Sequence, residues 1–181
     1  MLPAGPWREP VRALRRAALT IVTRKAATIE EARAVITALR TVVPKLATAI
    51  VWLAPGELRD ARGTESLPLE ALAGRRLHVI AAIGDPGAFV RQLEMAGAAG
   101  VTTSIFPDHY EFSASDTTRL ALDTGGAELV LCTLKDAVKL APHWPVEAQR
   151  LWYVSQNVNV EQGADTLDLL LDGLLDARST H

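Results

Sequence analysis

Leu77-His78-Val79-Ile80-Ala81-Ala82-Ile83-Gly84-Asp85-Pro86 predicts a buried strand that turns directly into a helix. The apolar run of residues 77–83 is short and rich in β-branched side chains. Asp85 and Pro86 then supply helix-opening chemistry, and the helix is expected to reach about Ala96. The same alternation continues on both sides. Toward the C-terminus, residues 101–106 predict a strand followed by the loop Pro107-Asp108-His109. A helix capped by Ser113 or Ser115 then runs to Gly125-Gly126. Residues 129–133 predict a strand, 135–140 a short helix, 151–154 a last strand and 164–177 a final helix.

Toward the N-terminus, residues 55–74 read as a loop with one helical turn at most, and 48–53 as a strand. Thr28 with Glu31 three residues on makes a capping box. The helix it opens carries Ala32, Val35, Ile36, Leu39 and Val43 at helical spacing and stops at Pro44. Residues 18–22 predict a short strand and 8–16 a helix with Pro10 in its first turn. Strands alternating with helices imply a largely parallel sheet covered on both faces. The expected fold is α/β, a three-layer α/β/α sandwich with about six strands, built as a single domain over residues 1–181. In such sheets the loops at the carboxyl ends of strands build the site.

The chain has 181 residues with nearly balanced charge, 19 Lys and Arg against 21 Asp and Glu. That balance gives no global reason to expect nucleic acid as a partner. Cys132 is the only cysteine, so no intrachain disulfide forms, and its apolar setting predicts a buried structural thiol. The longest apolar run, residues 46–54, is too short to span a bilayer. The opening Met1-Leu2-Pro3-Ala4-Gly5-Pro6 reads like an internal loop, and the chain is expected to be part of a longer protein.

Three loops offer chemistry at the sheet's carboxyl edge. In Pro107-Asp108-His109, the histidine either acts as general base, or charge-stabilises another base, or bonds a nearby backbone carbonyl. Thr133-Leu134-Lys135-Asp136 offers an ammonium suited to phosphate, while Asp136 equally suits a helix cap. Gly84-Asp85-Pro86 either holds an anion on free amides or is a plain strand-to-helix turn. Arg8, Arg12, Arg15 and Arg16 form a basic stretch that fits either phosphate-bearing headgroups or a solvated face. Asp165, Asp168, Asp172 and Asp176 form the solvated side of an amphipathic helix. No G-x-x-x-x-G-K-[ST] phosphate loop occurs, and His78, His109, His143 and Cys132 lack zinc-ligand spacing.

Four segments together resemble the tetraacyldisaccharide 4'-kinase (lipid A 4'-kinase) family. Leu2-Pro3-Ala4-Gly5-Pro6-Trp7-Arg8-Glu9-Pro10 is similar to its L-P-x-G-x-L-R-E-P. Ile83-Gly84-Asp85-Pro86 with Phe89 is similar to its G-I-G-x-P-x-x-F. Phe106-Pro107-Asp108-His109 with Phe112 and Asp116 follows F-P-D-H-x-x-F-x-x-x-D. Thr133-Leu134-Lys135-Asp136-Ala137-Val138-Lys139 follows T-E-K-D-x-V-K, with Leu134 replacing the usual glutamate.

The resemblance implies ATP- and Mg2+-dependent phosphorylation of the 4' hydroxyl of a lipid A disaccharide 1-phosphate precursor. It places the family at the cytosolic face of the inner membrane. It implies His109 and Asp108 as catalytic residues, and Arg8, Glu9, Lys135 and Asp136 on the substrate side. It further implies that a P-loop domain N-terminal to these residues handles the nucleotide. ATP and Mg2+ are then not expected to bind tightly to these residues alone, and the isolated chain is expected to be inactive. The alternatives are a non-catalytic module binding a phosphorylated glycolipid or a partner protein, and an unrelated α/β hydrolase using Asp108 and His109.

Overall fold

Residue alternation along the central strands sets the layers. A computed structural model of the chain describes residues 9–179. The strands are β1 (Thr20–Arg24), β2 (Thr48–Asp60), β3 (Ser66–Leu67), β4 (Arg76–Ala81), β5 (Gly100–Ile105), β6 (Leu129–Thr133) and β7 (Leu151–Gln162). The helices are α1 (Ile29–Val42), α2 (Pro86–Met95), α3 (Ala114–Leu122), α4 (Leu134–Leu140) and α5 (Ala164–Ser179), with short 3-10 turns besides. In hydrogen-bonding order the strands run β1-β2-β7-β6-β4-β5, with β3 on β2. The pairs β1/β2, β4/β5, β4/β6 and β6/β7 are parallel, and β2/β3 is antiparallel. The expected mostly parallel α/β sheet of about six strands is what the chain forms.

The chain divides into two compact units. One covers Ala54–Asn157; the other combines residues up to Leu53 with those from Val158 onward. The long strands β2 and β7 contribute residues to both.

In the unit 54–157, β4 sends Leu77, Val79 and Ala81 to one face, where they pack with Phe89 and Leu93 of α2. Ile80 and Ala82 go to the other face and meet Leu120 of α3 and Ala137 and Leu140 of α4. Leu129 and Leu131 of β6 follow the first set, Val130 and Cys132 the second. Period-two alternation with helices on both sides is what makes these strands apolar throughout. Cys132 is fully buried, its Sγ 3.5 Å from the Trp152 carbonyl, and burial pushes its thiol well up.

His78 is the polar exception on β4. It is buried, with Nδ1 2.9 Å from Thr102 Oγ1 and Nε2 3.1 Å from Ser104 Oγ on β5. Burial holds its pKa below the ordinary 6.5, against a smaller opposing pull from Asp123. The unfolded chain therefore binds this proton more readily. Stability is complete above pH 6.5 and declines as pH falls through that value toward the lowered folded one. The urea midpoint is expected to drop between pH 7.5 and 5.5, with a shallower drop in His78→Gln. Equal pH slopes in both proteins would assign the effect elsewhere.

In the other unit, Thr28 caps α1 with the expected capping box: Glu31 N–H donates to Thr28 Oγ1 and Thr28 N–H to the Glu31 carboxylate. Ala32, Ile36 and Ile50 form a small core with Val22 and Ile29. Arg24 closes this unit. Its guanidinium grips both oxygens of Glu161, donates to the Ala27 carbonyl at 2.9 Å and lies 4.7 Å over the Trp52 ring. Gly163, with φ of 81°, brings the start of α5 against Thr48 and Ala49.

Three local expectations are corrected. The helix expected over 8–16 is a 3-10 turn, Val11–Arg16, because Pro10 at its start offers no side-chain cap and no acidic residue opens it. The expected loop 55–74 begins later, since β2 continues through Pro55 to Asp60. Its buried Ala54, Gly56 and Leu58 keep strand alternation despite the proline. The last strand runs to Gln162 rather than stopping at Val154, through a stretch whose side chains are largely exposed.

Candidate active site

The loop after β5 is a four-residue turn. Tyr110 N–H donates to the Pro107 carbonyl at 3.1 Å, and His109 N–H to the Ala82 carbonyl at 3.3 Å. His109 sits at φ 63°, in the left-handed region and alone in that among the described non-glycine residues. That conformation costs an L-residue about 1 kcal/mol or more, and surrounding contacts have to hold it. The histidine side chain is 78 % exposed and Asp108 50 %, with Nε2 3.8 Å from the Asp108 carboxylate.

Support comes from below and from both sides. Phe106, Tyr110 and Phe112 form a ring cluster with centroids 4.8–5.2 Å apart. Tyr110 OH donates to Asp116 at 3.3 Å, and Asp116 accepts from the hydroxyl and amide of Ser113, which caps α3. Those two Ser113 bonds hold the Asp116 carboxyl below its usual range. Lys139 of α4 donates to the carbonyls of His109 and Tyr110 and to the Glu111 carboxylate.

The three loops singled out from the sequence meet here, at the carboxyl ends of β4, β5 and β6. Gly84 faces Asp108 closely, since a Cβ at Gly84 would lie 3.4 Å from Asp108 Oδ2. Asp85 caps α2 by accepting from Ala88 N–H. Asp136 is 1 % exposed, accepts from Ala82 N–H at 3.3 Å and from Thr133 Oγ1 at 2.7 Å. It is not the cap of α4; Thr133 is. Ala82 thus joins the loops, taking His109 through its carbonyl and Asp136 through its amide.

Lys135 is exposed at the first turn of α4. Glu9 lies in the other unit, exposed and paired with Arg16 at 2.7 Å. Arg8 falls outside the described residues. Sequence reading did not single out Lys139 or Tyr110 as site residues, although both stand inside the quoted motifs. The sequence has no phosphate loop, and among the described residues no group of three or more His, Cys, Asp or Glu is placed to hold a metal ion.

A family model described as "Tetraacyldisaccharide-1-P 4'-kinase" matches residues 1–175. The chain belongs to the tetraacyldisaccharide-1-P 4'-kinase family. A tetraacyldisaccharide 4'-kinase of Anaeromyxobacter dehalogenans strain 2CP-1 is 35% identical over 178 residues, covering 97% of this chain and 47% of that protein. One from Geobacter metallireducens is 40% identical over 144 residues, covering 78% and 40%. The chain spans about half the length of the curated kinases it matches. The crystal structure of LpxK from Aquifex aeolicus in complex with ATP superposes with a TM-score of 0.55 at 23% identity, covering 95% of this chain and 47% of that one. That likeness supports the fold of this tetraacyldisaccharide-1-P 4'-kinase family chain.

Proposed function

We propose that this chain forms the acceptor side of a lipid A 4'-kinase. It presents the 4' hydroxyl of a tetraacylated disaccharide 1-phosphate for phosphorylation, while ATP and Mg2+ are handled by a P-loop domain outside these residues. The observation that carries the reading is the Asp108-His109 pair, exposed on a strained turn at the carboxyl ends of parallel strands, within the family's own motif. The imidazole, working with a carboxylate of the P-loop domain, takes the proton of the acceptor hydroxyl, and the Asp108 carboxylate lies 3.8 Å from its Nε2. Lys135 meets phosphate on the substrate side; Arg8 and Glu9 are assigned to substrate by the family resemblance alone. Asp136, being buried, positions the His109 loop through Ala82.

Phosphoryl transfer depends chiefly on positioning and on neutralising the transferred group. These residues supply the first for the acceptor only, and alone they are inactive. The substrate is a membrane lipid, and among the described residues no helix is long and apolar enough to cross a membrane. Family membership supports a peripheral place for the kinase at the cytosolic membrane surface.

The test is a kinase assay with ATP, Mg2+ and the disaccharide 1-phosphate. The 181-residue chain is expected to be blank alone. It is expected to be active with the P-loop half of the Anaeromyxobacter dehalogenans kinase. Turnover by the chain alone, or a blank mixture of two folded halves, would overturn the proposal.

A further inference from the structure

The geometry points to Lys139 as the positioning residue that locks His109 in its left-handed turn. A lysine ammonium carries three N–H donors and no acceptor. All three find partners in one loop: the His109 carbonyl at 3.2 Å, the Tyr110 carbonyl at 2.9 Å and Glu111 Oε1 at 2.9 Å. The lysine side chain is 26 % exposed; its bond to the Tyr110 carbonyl is part-buried, while those to the His109 carbonyl and Glu111 are exposed.

The turn itself holds His109 weakly. Its own bonds are Tyr110 N–H to the Pro107 carbonyl at 3.1 Å and His109 N–H to the Ala82 carbonyl at 3.3 Å, and neither involves a charge. Bonds from an ionised donor are about twice as strong as neutral ones. With φ at 63°, His109 gains by relaxing to negative φ unless its carbonyl is held, and Lys139 is what holds it. Glu111 satisfies the third donor and balances the ammonium, which keeps the lysine on the backbone rather than on a bound phosphate. The result fixes the direction in which the imidazole leaves the backbone. Since Asp136 in the first turn of α4 also accepts from Ala82 N–H, one short helix fixes the loop from two sides.

The catalytic half of this inference rests on the functional reading above; the structural half does not. Imidazole NMR on the 181-residue chain, with His109 assigned by its loss in His109→Asn, reads the second. Lys139→Met is expected to shift and broaden the His109 ring signals while those of His78 and His143 stay put, and Lys139→Arg is expected to restore them in part. In the reassembled kinase Lys139→Met is expected to lower kcat roughly 10- to 100-fold, the scale of a displaced catalytic group. KM for either substrate should hold within twofold, with partial recovery in Lys139→Arg. Should Lys139→Met not fold, Lys139→Gln replaces it.

Unchanged His109 signals overturn the clamp outright. Changed signals with kcat within threefold of wild type overturn its role in positioning. If the wild-type mixture is blank, the functional reading fails, and the NMR arm alone judges the clamp.

Discussion

Exchanging His109 for asparagine lowers kcat of the reassembled kinase by roughly 100- to 10,000-fold, the usual worth of a positioned general acid or base. Asparagine is the informative replacement because it tolerates a left-handed backbone better than most residues, so the turn survives while the ring is lost. Alanine at this position removes the ring and also strains the loop, mixing two effects. KM for ATP is expected to stay unchanged, since none of the nucleotide-handling parts is assigned to this loop. Steady-state kinetics on purified, correctly folded protein decide the matter. Activity within threefold of wild type would remove His109 from the chemistry, and the assignment of Asp108 with it.

Gly163→Ala carries the largest expected loss of stability. The backbone there has φ of 81°, which costs an L-side chain about 1–2 kcal/mol. The added methyl would also sit 2.5 Å from the Thr48 carbonyl oxygen and 3.0 Å from Ala49 Cα. Both are main-chain atoms of a paired strand and cannot swing aside as a flexible side chain would. Overpacking of this kind adds about 1–3 kcal/mol, so a total near 3 kcal/mol is expected. Gly74→Ala is the control: its φ is 72°, but nothing lies within 4 Å of the new methyl. It should cost only the backbone part, about 1 kcal/mol. Urea unfolding measures both, and amide exchange should accelerate in α5 for Gly163→Ala alone. Equal losses for the two variants would mean that the strand gives way and the contact is unimportant.

Much of the fold was legible because its signals are local. The Thr28 and Glu31 pair marked the start of α1 directly, and Asp85-Pro86 marked that of α2. β6 was readable to the residue because a strand buried on both faces is apolar throughout and ends abruptly at a polar cap. What escaped was pattern set by distant partners. Pro55 argued for a loop, yet β2 runs on because Gly56 lets Ser155 of β7 approach without a side chain between them. The later part of β7 is exposed and mostly polar, and the short alternation of Val158 and Val160 is its one strand signal.

The site divides the same way. Asp108 and His109 stood out by residue type and by their place after a strand. Lys139 did not, because a lysine on a short helix looks like any solvated one until the loop thirty positions earlier folds onto it. Asp136 was readable as polar and near the strand's end, but its burial under Ala82 is a tertiary fact.

The division of the chain has a consequence for how it folds. The unit 54–157 is continuous in sequence, whereas the other joins residues up to Leu53 with those from Val158 onward. Arg24 must wait for Glu161, and Thr48 for Gly163. Contacts so distant in sequence are slow to close. During synthesis β1 and α1 therefore stay incomplete until β7 and α5 have been made, and that interval is when chaperones have most to protect.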